Sequence, residues 1–249
     1  MRLIPTLVLP MLLVANGVAE DHGHDPAPAP KPPAAANKPA PAADPHAAPP
    51  GSEPAGQGLD AKRALERLMQ GNQRFVIDVM NKSHKDADRR TEVAKGQHPI
   101  AIVVCCSDSR VPPEQLFDVG LGDIFVVRTA GNVIDAIGLG SIEYAVAHLH
   151  APLIVVMGHE RCGAVTAAIS GETAPGHVLA ITDKIQDNLI GTEPAKGDPV
   201  DQAMRINAKA VARQIAESVP ILRPQVASGA LGVVAVRYDL DDGKVELIP

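Results

Sequence analysis

Two short segments hold the side chains in this chain best suited to chemistry. They are Cys106-Ser107-Asp108-Ser109-Arg110 and, about fifty residues later, His159-Glu160-Arg161-Cys162. Together they offer two thiols and one imidazole, a soft donor set that suits tetrahedral zinc. Cys106, His159 and Cys162 are therefore the expected ligands. Three protein ligands leave the fourth position open, which is the arrangement of catalytic rather than structural zinc. Asp108 and Arg110 set a hydrogen-bond acceptor and a permanent cation beside that open position. Asp108 has two available roles: it can orient a group on the metal by accepting its proton, or it can ligate the metal and shut the site. Arg110 decides between them, because a bidentate guanidinium pair holds the carboxylate off the metal.

Competing uses of these residues are weaker. A Cys106–Cys162 disulfide would leave His159 without a role and the adjacent Cys105 as the odd thiol. A phosphate-binding loop of the tyrosine-phosphatase kind spaces its cysteine and arginine further apart than either Cys105 or Cys106 stands from Arg110. The Gly120/Gly122 and Gly138/Gly140 pairs lack the full dinucleotide fingerprint between a strand and a helix. They are better explained by turns and helix packing.

The elements that must position the ligands are short, apolar and β-branched. Residues 100–105, 124–128, 153–158 and 231–237 read as strands buried on both faces. Helical spacing links Leu139, Ile142, Val146 and Leu149, and residues 200–219 form a long amphipathic stretch closed by Pro220. Residues 59–80 read as helix, capped by Asp60 and bent at Gly71-Asn72. Alternating strands and helices imply an α/β fold: a central, mostly parallel β-sheet flanked by helices, with an antiparallel edge strand returning through Asp241-Asp242-Gly243. Function in such sheets gathers at the carboxyl ends of strands. Cys106 and His159 both fall where a strand ends. Cys162 precedes a run of small residues that opens a helix, whose N-terminus is expected to favour its thiolate.

The ends and the composition bound the rest. Met1-Arg2, an apolar run over 3–15 and small residues up to Ala19 read as a signal peptide over 1–19. The run is too short and too proline-interrupted for a good membrane span. Residues 20–58 are Pro/Ala-rich and carry His22, His24 and His46; they read as a disordered tether with solvated histidines. Residues 59–249 suit one domain with a real core. The expected location is periplasmic or secreted, with no membrane association after cleavage. A formal net charge of -6 and a pI near 5.8 argue against a nucleic-acid partner. With three Phe, two Tyr and no Trp, the core must be built from aliphatic residues.

The motifs, taken together, resemble the β-class carbonic anhydrases. The resemblance rests on Cys106-Ser-Asp-Ser-Arg-Val111, Phe125-Val-Val-Arg128, Ala130-Gly-Asn132, Ser141-Ile-Glu-Tyr-Ala145 and Gly158-His-x-x-Cys-Gly163. It extends over about residues 59–238. It implies one zinc per subunit on Cys106, His159 and Cys162, the Asp108–Arg110 dyad beside it, and a homo-oligomer, dimer or tetramer, with each site near a subunit boundary. It further implies a catalytic glutamine at Gln97, nine residues before Cys106, and a substrate pocket that includes Phe125, Tyr144 and Gly163.

The activity so implied is carbonate dehydratase: reversible hydration of carbon dioxide to bicarbonate and a proton, by hydroxide on the zinc. Zinc brings the pKa of a bound water to roughly 7, a value that itself comes from a carbonic anhydrase. The proton shuttle is not legible; His84, His98, His148, His150 and His177 qualify only as titratable groups. Some bacterial relatives close the site at low pH through a bicarbonate pocket with a tryptophan three residues before the first cysteine. Val103 stands there in this chain, so that device is not implied. Rival readings are carbon disulfide or carbonyl sulfide hydrolysis on the same scaffold, and a non-catalytic periplasmic zinc-binding protein suggested by the tether histidines.

Overall fold

A computed structural model describes residues 58–192 and 197–249. The expected signal peptide, and the tether up to residue 57, lie outside the described residues. Among the described residues, five strands form one sheet: β1 (Ala101–Cys105), β2 (Ile124–Arg128), β3 (Leu153–His159), β4 (Gly232–Tyr238) and β5 (Val245–Leu247). The helices are α1 (Ala61–Val76), α2 (Ala87–Val93), α3 (Pro113–Leu116), α4 (Ala136–Leu149), α5 (Gly163–Ile169), α6 (Val178–Leu189), α7 (Pro199–Ala216) and α8 (Leu222–Ala227). The strand order is β2-β1-β3-β4-β5. The first four strands are parallel, and β5 pairs antiparallel with β4. The expected mostly parallel α/β sheet with an antiparallel edge is therefore present.

Side chains alternate across a strand, so the two faces of β1 and β3 build two separate cores. Ala101, Val103, Cys105, Val155 and Met157 pack with Ala64 and Leu68 of α1 and with Leu116 and Phe117. Ile102, Val104, Ile154 and Val156 pack with Ile142, Ala145, Val146 and Leu149 of α4, Ala208, Val211 and Ile215 of α7, and Leu222 of α8. A third cluster caps the carboxyl ends of the strands and contains Cys106, Val133, Cys162, Val165, Ile185 and Met204.

β1 and β3 are buried along their whole length, as their unbroken apolar runs predict. β2 departs from that reading. It is an edge strand, with Phe125, Val126 and Val127 only half-buried and Arg128 exposed. Its outer backbone edge has no partner strand among the described residues.

The expected bend at Gly71-Asn72 is absent, and α1 runs unbroken through both residues. Propensity names the pair a breaker, but tertiary contact explains it. A Cβ on Gly71 would lie 1.7 Å from the Phe117 carbonyl oxygen, so only glycine lets the helix approach that backbone. Asn72 is buried and donates to the carbonyls of Leu116 (3.1 Å) and Gly243 (2.9 Å), while accepting from the N–H of Val245 at 2.8 Å. The amide thus ties α1 to α3 and to the β4–β5 turn. At the other end, α1 begins as expected, with the Asp60 side chain accepting from the Arg63 N–H at 2.8 Å. The C-terminal limit of α7 also differs slightly from expectation, falling at Ala216, before Pro220.

Gly71→Ala is expected to destabilise the fold by about 1–3 kcal/mol or more, the usual range for overpacking a closed contact. Ala is otherwise the better helix residue, so propensity alone predicts the opposite sign. Urea titration distinguishes the two by the direction in which the midpoint moves.

Candidate metal centre

Cys106 is the first residue past β1, and His159 is the last residue of β3. Because β1 and β3 are neighbours in parallel register, both ligands emerge at the same end of the sheet. The turn after β1 is held by reciprocal backbone hydrogen bonds: Thr129 N–H to Cys105 O and Ser107 N–H to Thr129 O, each 3.2 Å. The turn after β3 is anchored by Glu160 N–H to Tyr238 O at 3.0 Å. Arg161 adopts a left-handed φ of 49° there, which swings the chain back so that Cys162 caps α5. An exposed bidentate pair from Arg161 to Asp241 lies over this turn, and exposed pairs of this kind contribute little.

The sulfurs of Cys106 and Cys162 and a ring nitrogen of His159 lie within 4.8 Å of one another, and all three residues are buried. All three cysteines of the chain are free thiols, so the disulfide reading does not hold. His159 Nδ1 lies 2.9 Å from the Glu160 carbonyl oxygen. A carbonyl only accepts, so Nδ1 carries the proton and Nε2 presents a lone pair. That Nε2 is buried and has no hydrogen-bond partner among the described residues. A buried acceptor left unpaired costs about 1–3 kcal/mol, and a cation in the cluster relieves that cost. The donor set therefore fits zinc: two sulfurs, and one imidazole whose tautomer is fixed by its second nitrogen.

The Cys106 and Cys162 thiols shift each other in opposite directions through their mutual hydrogen bond. Cys106 is held down to about 4, chiefly by the hydrogen bond from Cys162; burial opposes this, while the N–H groups of Asp108 and Gly131 reinforce it. Cys162 is pushed far above the ordinary thiol range by its bond to Cys106, by burial and by the charge of the Cys106 sulfur. The N–H groups of Ala164 and Val165 at the start of α5 pull Cys162 downward, as expected of a helix N-terminus, but they are outweighed. A divalent ion held here would draw on both sulfurs as thiolates, since metal ligation requires deprotonated cysteine.

Asp108 is clamped by Arg110. Oδ1 accepts from the Arg110 backbone N–H (2.9 Å) and from Nε (3.0 Å), and Oδ2 accepts from Nη2 at 2.7 Å. Oδ2 also stands 3.9 Å from His159 Nε2, beside the lone pair that faces the cluster. Arg110 holds the Asp108 carboxyl down to about 2, with burial opposing, so the group is ionised across the neutral range. A second arginine stands in a motif to which sequence reasoning gave no role. Arg128, at the end of β2, donates through Nε to Cys106 O (3.0 Å) and through Nη2 to Asp108 O (2.6 Å), bracing the loop that carries both residues.

The remaining expected site residues are placed less closely. Gly163 opens α5 beside Cys162, and a Cβ there would meet nothing within 4 Å, so the space is open. Phe125 pairs in register with Ile102, four residues before Cys106, which puts it roughly 13 Å down the sheet at the usual rise per residue. Phe125 and Tyr144 both pack against the core beside α4, α7 and α8 rather than against the cysteine layer. Gln97 is half-buried just before β1, at the opposite end of that strand from Cys106. Of the titratable histidines, His84 is engaged with Asp123 at 2.8 Å and Tyr144 stacks on His148. Val103, at the position of the tryptophan in some relatives, is fully buried in β1.

Fold and cluster together define an α/β metalloprotein with a zinc-type centre at the carboxyl edge of its sheet. Comparison with known proteins narrows the class. The family model described as "Carbonic anhydrase" matches residues 101–245. Carbonic anhydrase 2 of Mycobacterium tuberculosis is 42% identical over 189 residues, covering 74% of this chain and 91% of that protein. The carbonic anhydrase of Mycolicibacterium smegmatis is 41% identical over 188 residues, with the same coverage of each chain. Among solved structures, a tetrameric β-carbonic anhydrase of Sordaria macrospora superposes with a TM-score of 0.60 at 25% identity, covering 74% of this chain and 96% of that one. A Coccomyxa β-carbonic anhydrase gives a TM-score of 0.60 at 27% identity, covering 74% and 86%. The chain belongs to the β-class carbonic anhydrase family.

Cys162→Ser is expected to lower zinc content from one per subunit toward zero. It should also lower Tm by more than about 4 °C, since 1 kcal/mol is about 2–4 °C in a domain of this size. Elemental analysis and melting of the same preparation check both. Full zinc with an unchanged Tm would remove Cys162 from the ligand set.

Proposed function

We propose that this chain performs the reaction of its family, the reversible hydration of carbon dioxide to bicarbonate and a proton, with zinc held by Cys106, His159 and Cys162. When bound there, zinc supplies Lewis acidity that makes a water a nucleophile near neutral pH. The observation that carries the reading is the Asp108 carboxylate, clamped by Arg110 and standing 3.9 Å from His159 Nε2. A buried storage site needs neither an orienting carboxylate nor a clamp on it.

Asp108 acts as a fixed acceptor. Held down to about 2 by Arg110, it cannot take up a proton for itself near neutrality, so it accepts a hydrogen bond and orients the lone pair that attacks carbon. Arg110 occupies both carboxylate oxygens and keeps Asp108 from closing the open position. Gly163, lacking a side chain, leaves room for substrate beside Cys162. Gln97, Phe125 and Tyr144 complete the pocket only if a second copy contributes them, because within one subunit they stand away from the cluster.

That requirement agrees with association through β2, an edge strand with an open ladder and half-exposed apolar residues, the kind of edge that native proteins cover. The Sordaria relative is described as tetrameric; a dimer or tetramer is the reading here. The N-terminal signal pattern and the Pro/Ala-rich stretch support a bacterial, exported enzyme with the catalytic domain over 59–249. Mass analysis of the mature N-terminus tests the export, and a protein that retains Met1 would count against it.

Asp108→Asn should keep its zinc and lose carbon dioxide hydration by about 10²-fold or more, measured by stopped flow. Unchanged hydration would sink the assignment of Asp108. Deleting residues 20–58 should leave one zinc per subunit, full activity and an oligomer in sedimentation. A protein that stores zinc on its tether would instead lose most of its metal.

A further inference from the structure

α7 presents an apolar face to the core, made by Ala203, Met204, Ala208, Val211 and Ile215, with one exception. The exception is Asn207, which is fully buried in the middle of that face. An amide at such a position is unfavourable unless both its ends are paired, and an aliphatic residue would serve packing as well. Both ends are paired. Asn207 Oδ1 accepts from Nδ2 of Asn188 on α6 at 2.8 Å, and Asn207 Nδ2 donates to the carbonyl of Gly131 at 2.8 Å.

Gly131 lies in the 3-10 turn Ala130–Asn132 and has a left-handed φ of 67°. A Cβ on it would lie 2.7 Å from Ile185 Cδ1 and 3.1 Å from Ala164 Cβ, so packing and backbone both demand glycine. Its N–H donates to Cys106 Sγ at 3.3 Å. The other backbone donor to that sulfur is Asp108 N–H at 3.4 Å, which belongs to the same loop as the cysteine. The Gly131 contact is different: it arrives from a separate segment, and α7 holds that segment in place.

We propose that Asn207 is a positioning residue for the metal ligand Cys106, acting through Gly131 and steadied by Asn188. The relay Asn188–Asn207–Gly131–Cys106 fixes where the sulfur sits and how much electron density it offers a metal, because an N–H donor withdraws density from a thiolate. The inference rests on the reading of Cys106 as a zinc ligand and adds a determinant that lies on another helix.

The test uses the full-length protein with zinc replaced by cobalt(II), whose sulfur-to-metal charge-transfer band reports the donor strength of the thiolates. Asn207→Leu keeps the volume and removes the relay. Asn207→Asp keeps the shape and the Asn188 contact, but turns an acceptor toward the Gly131 carbonyl. Both should move the band to lower energy and weaken zinc retention against a competing chelator by about 10–100-fold. Asn188→Ala should move both in the same direction by less.

A residue that serves packing alone would lower Tm and leave the band and the competition at wild-type values. That result in a folded Asn207 variant overturns the proposal. If neither Asn207 variant folds, half-buried Asn188 decides, and an unshifted band in Asn188→Ala overturns it equally. A wild-type protein that binds cobalt without a charge-transfer band would instead overturn the assignment of Cys106 itself.

Discussion

A single buried nitrogen organises this molecule. His159 Nδ1 gives its proton to the Glu160 carbonyl, which leaves Nε2 buried and without a partner among the described residues, on a ring clustered with two sulfurs. Such an arrangement is unfavourable in an apoprotein and favourable around a soft cation, so the site is built to be completed by metal. The fold makes that possible by geometry alone. Two adjacent parallel strands end at the same level, and each delivers a ligand as its first irregular residue or its last regular one. An antiparallel pair would have sent those two chain ends to opposite edges of the sheet. The parallel order of β1 and β3 is thus as much a part of the site as the sulfur atoms.

Around this centre, three arginine and backbone contacts divide the work of keeping the loop after β1 rigid. Arg110 fixes the carboxylate of Asp108, Arg128 fixes the carbonyls of Cys106 and Asp108, and Gly131 fixes the Cys106 sulfur. The first lies within the loop, whereas the other two come from the end of β2 and the turn just beyond it. Because β2 is an edge strand, anything that pairs with it also bears on Arg128. Association through that edge and the geometry of the metal site would then be mechanically connected rather than independent features.

The sheet was legible because β1 and β3 are unbroken β-branched runs, and few other structures bury such runs on both faces. The ligands were legible because chemistry restricts which residue types can bind zinc, and their spacing placed them at strand ends. What was misread shares one cause. Gly71-Asn72 reads as a helix break by propensity, yet both residues are there for contacts with Phe117 and Gly243, far away in sequence. β2 looks as buried as β1 by composition, and only the strand order reveals it as an edge. The helix start that favours the Cys162 thiolate is visible in the sequence, whereas the closeness of Cys106, which outweighs it, is not. Arg128 stands in a motif but its role is not legible there, and Asn207 carries no local signal, since what both do depends on which backbone atoms tertiary packing brings within reach.

This difference has a consequence for how the site can vary. Ligand identity is fixed by coordination chemistry and tolerates almost no change. The groups that hold the ligands face a weaker constraint: any residue that delivers a donor to the Gly131 carbonyl, or a fork to the Cys106 loop, would serve. The properties such groups adjust, the donor strength of the sulfur and the play allowed to Asp108, are continuous quantities rather than presence or absence. Two chains with the same ligands and the same dyad can therefore differ in metal retention and in how firmly the fourth position is kept open. The difference would reside in α6 and α7, in residues such as Asn188 and Asn207 that no motif marks.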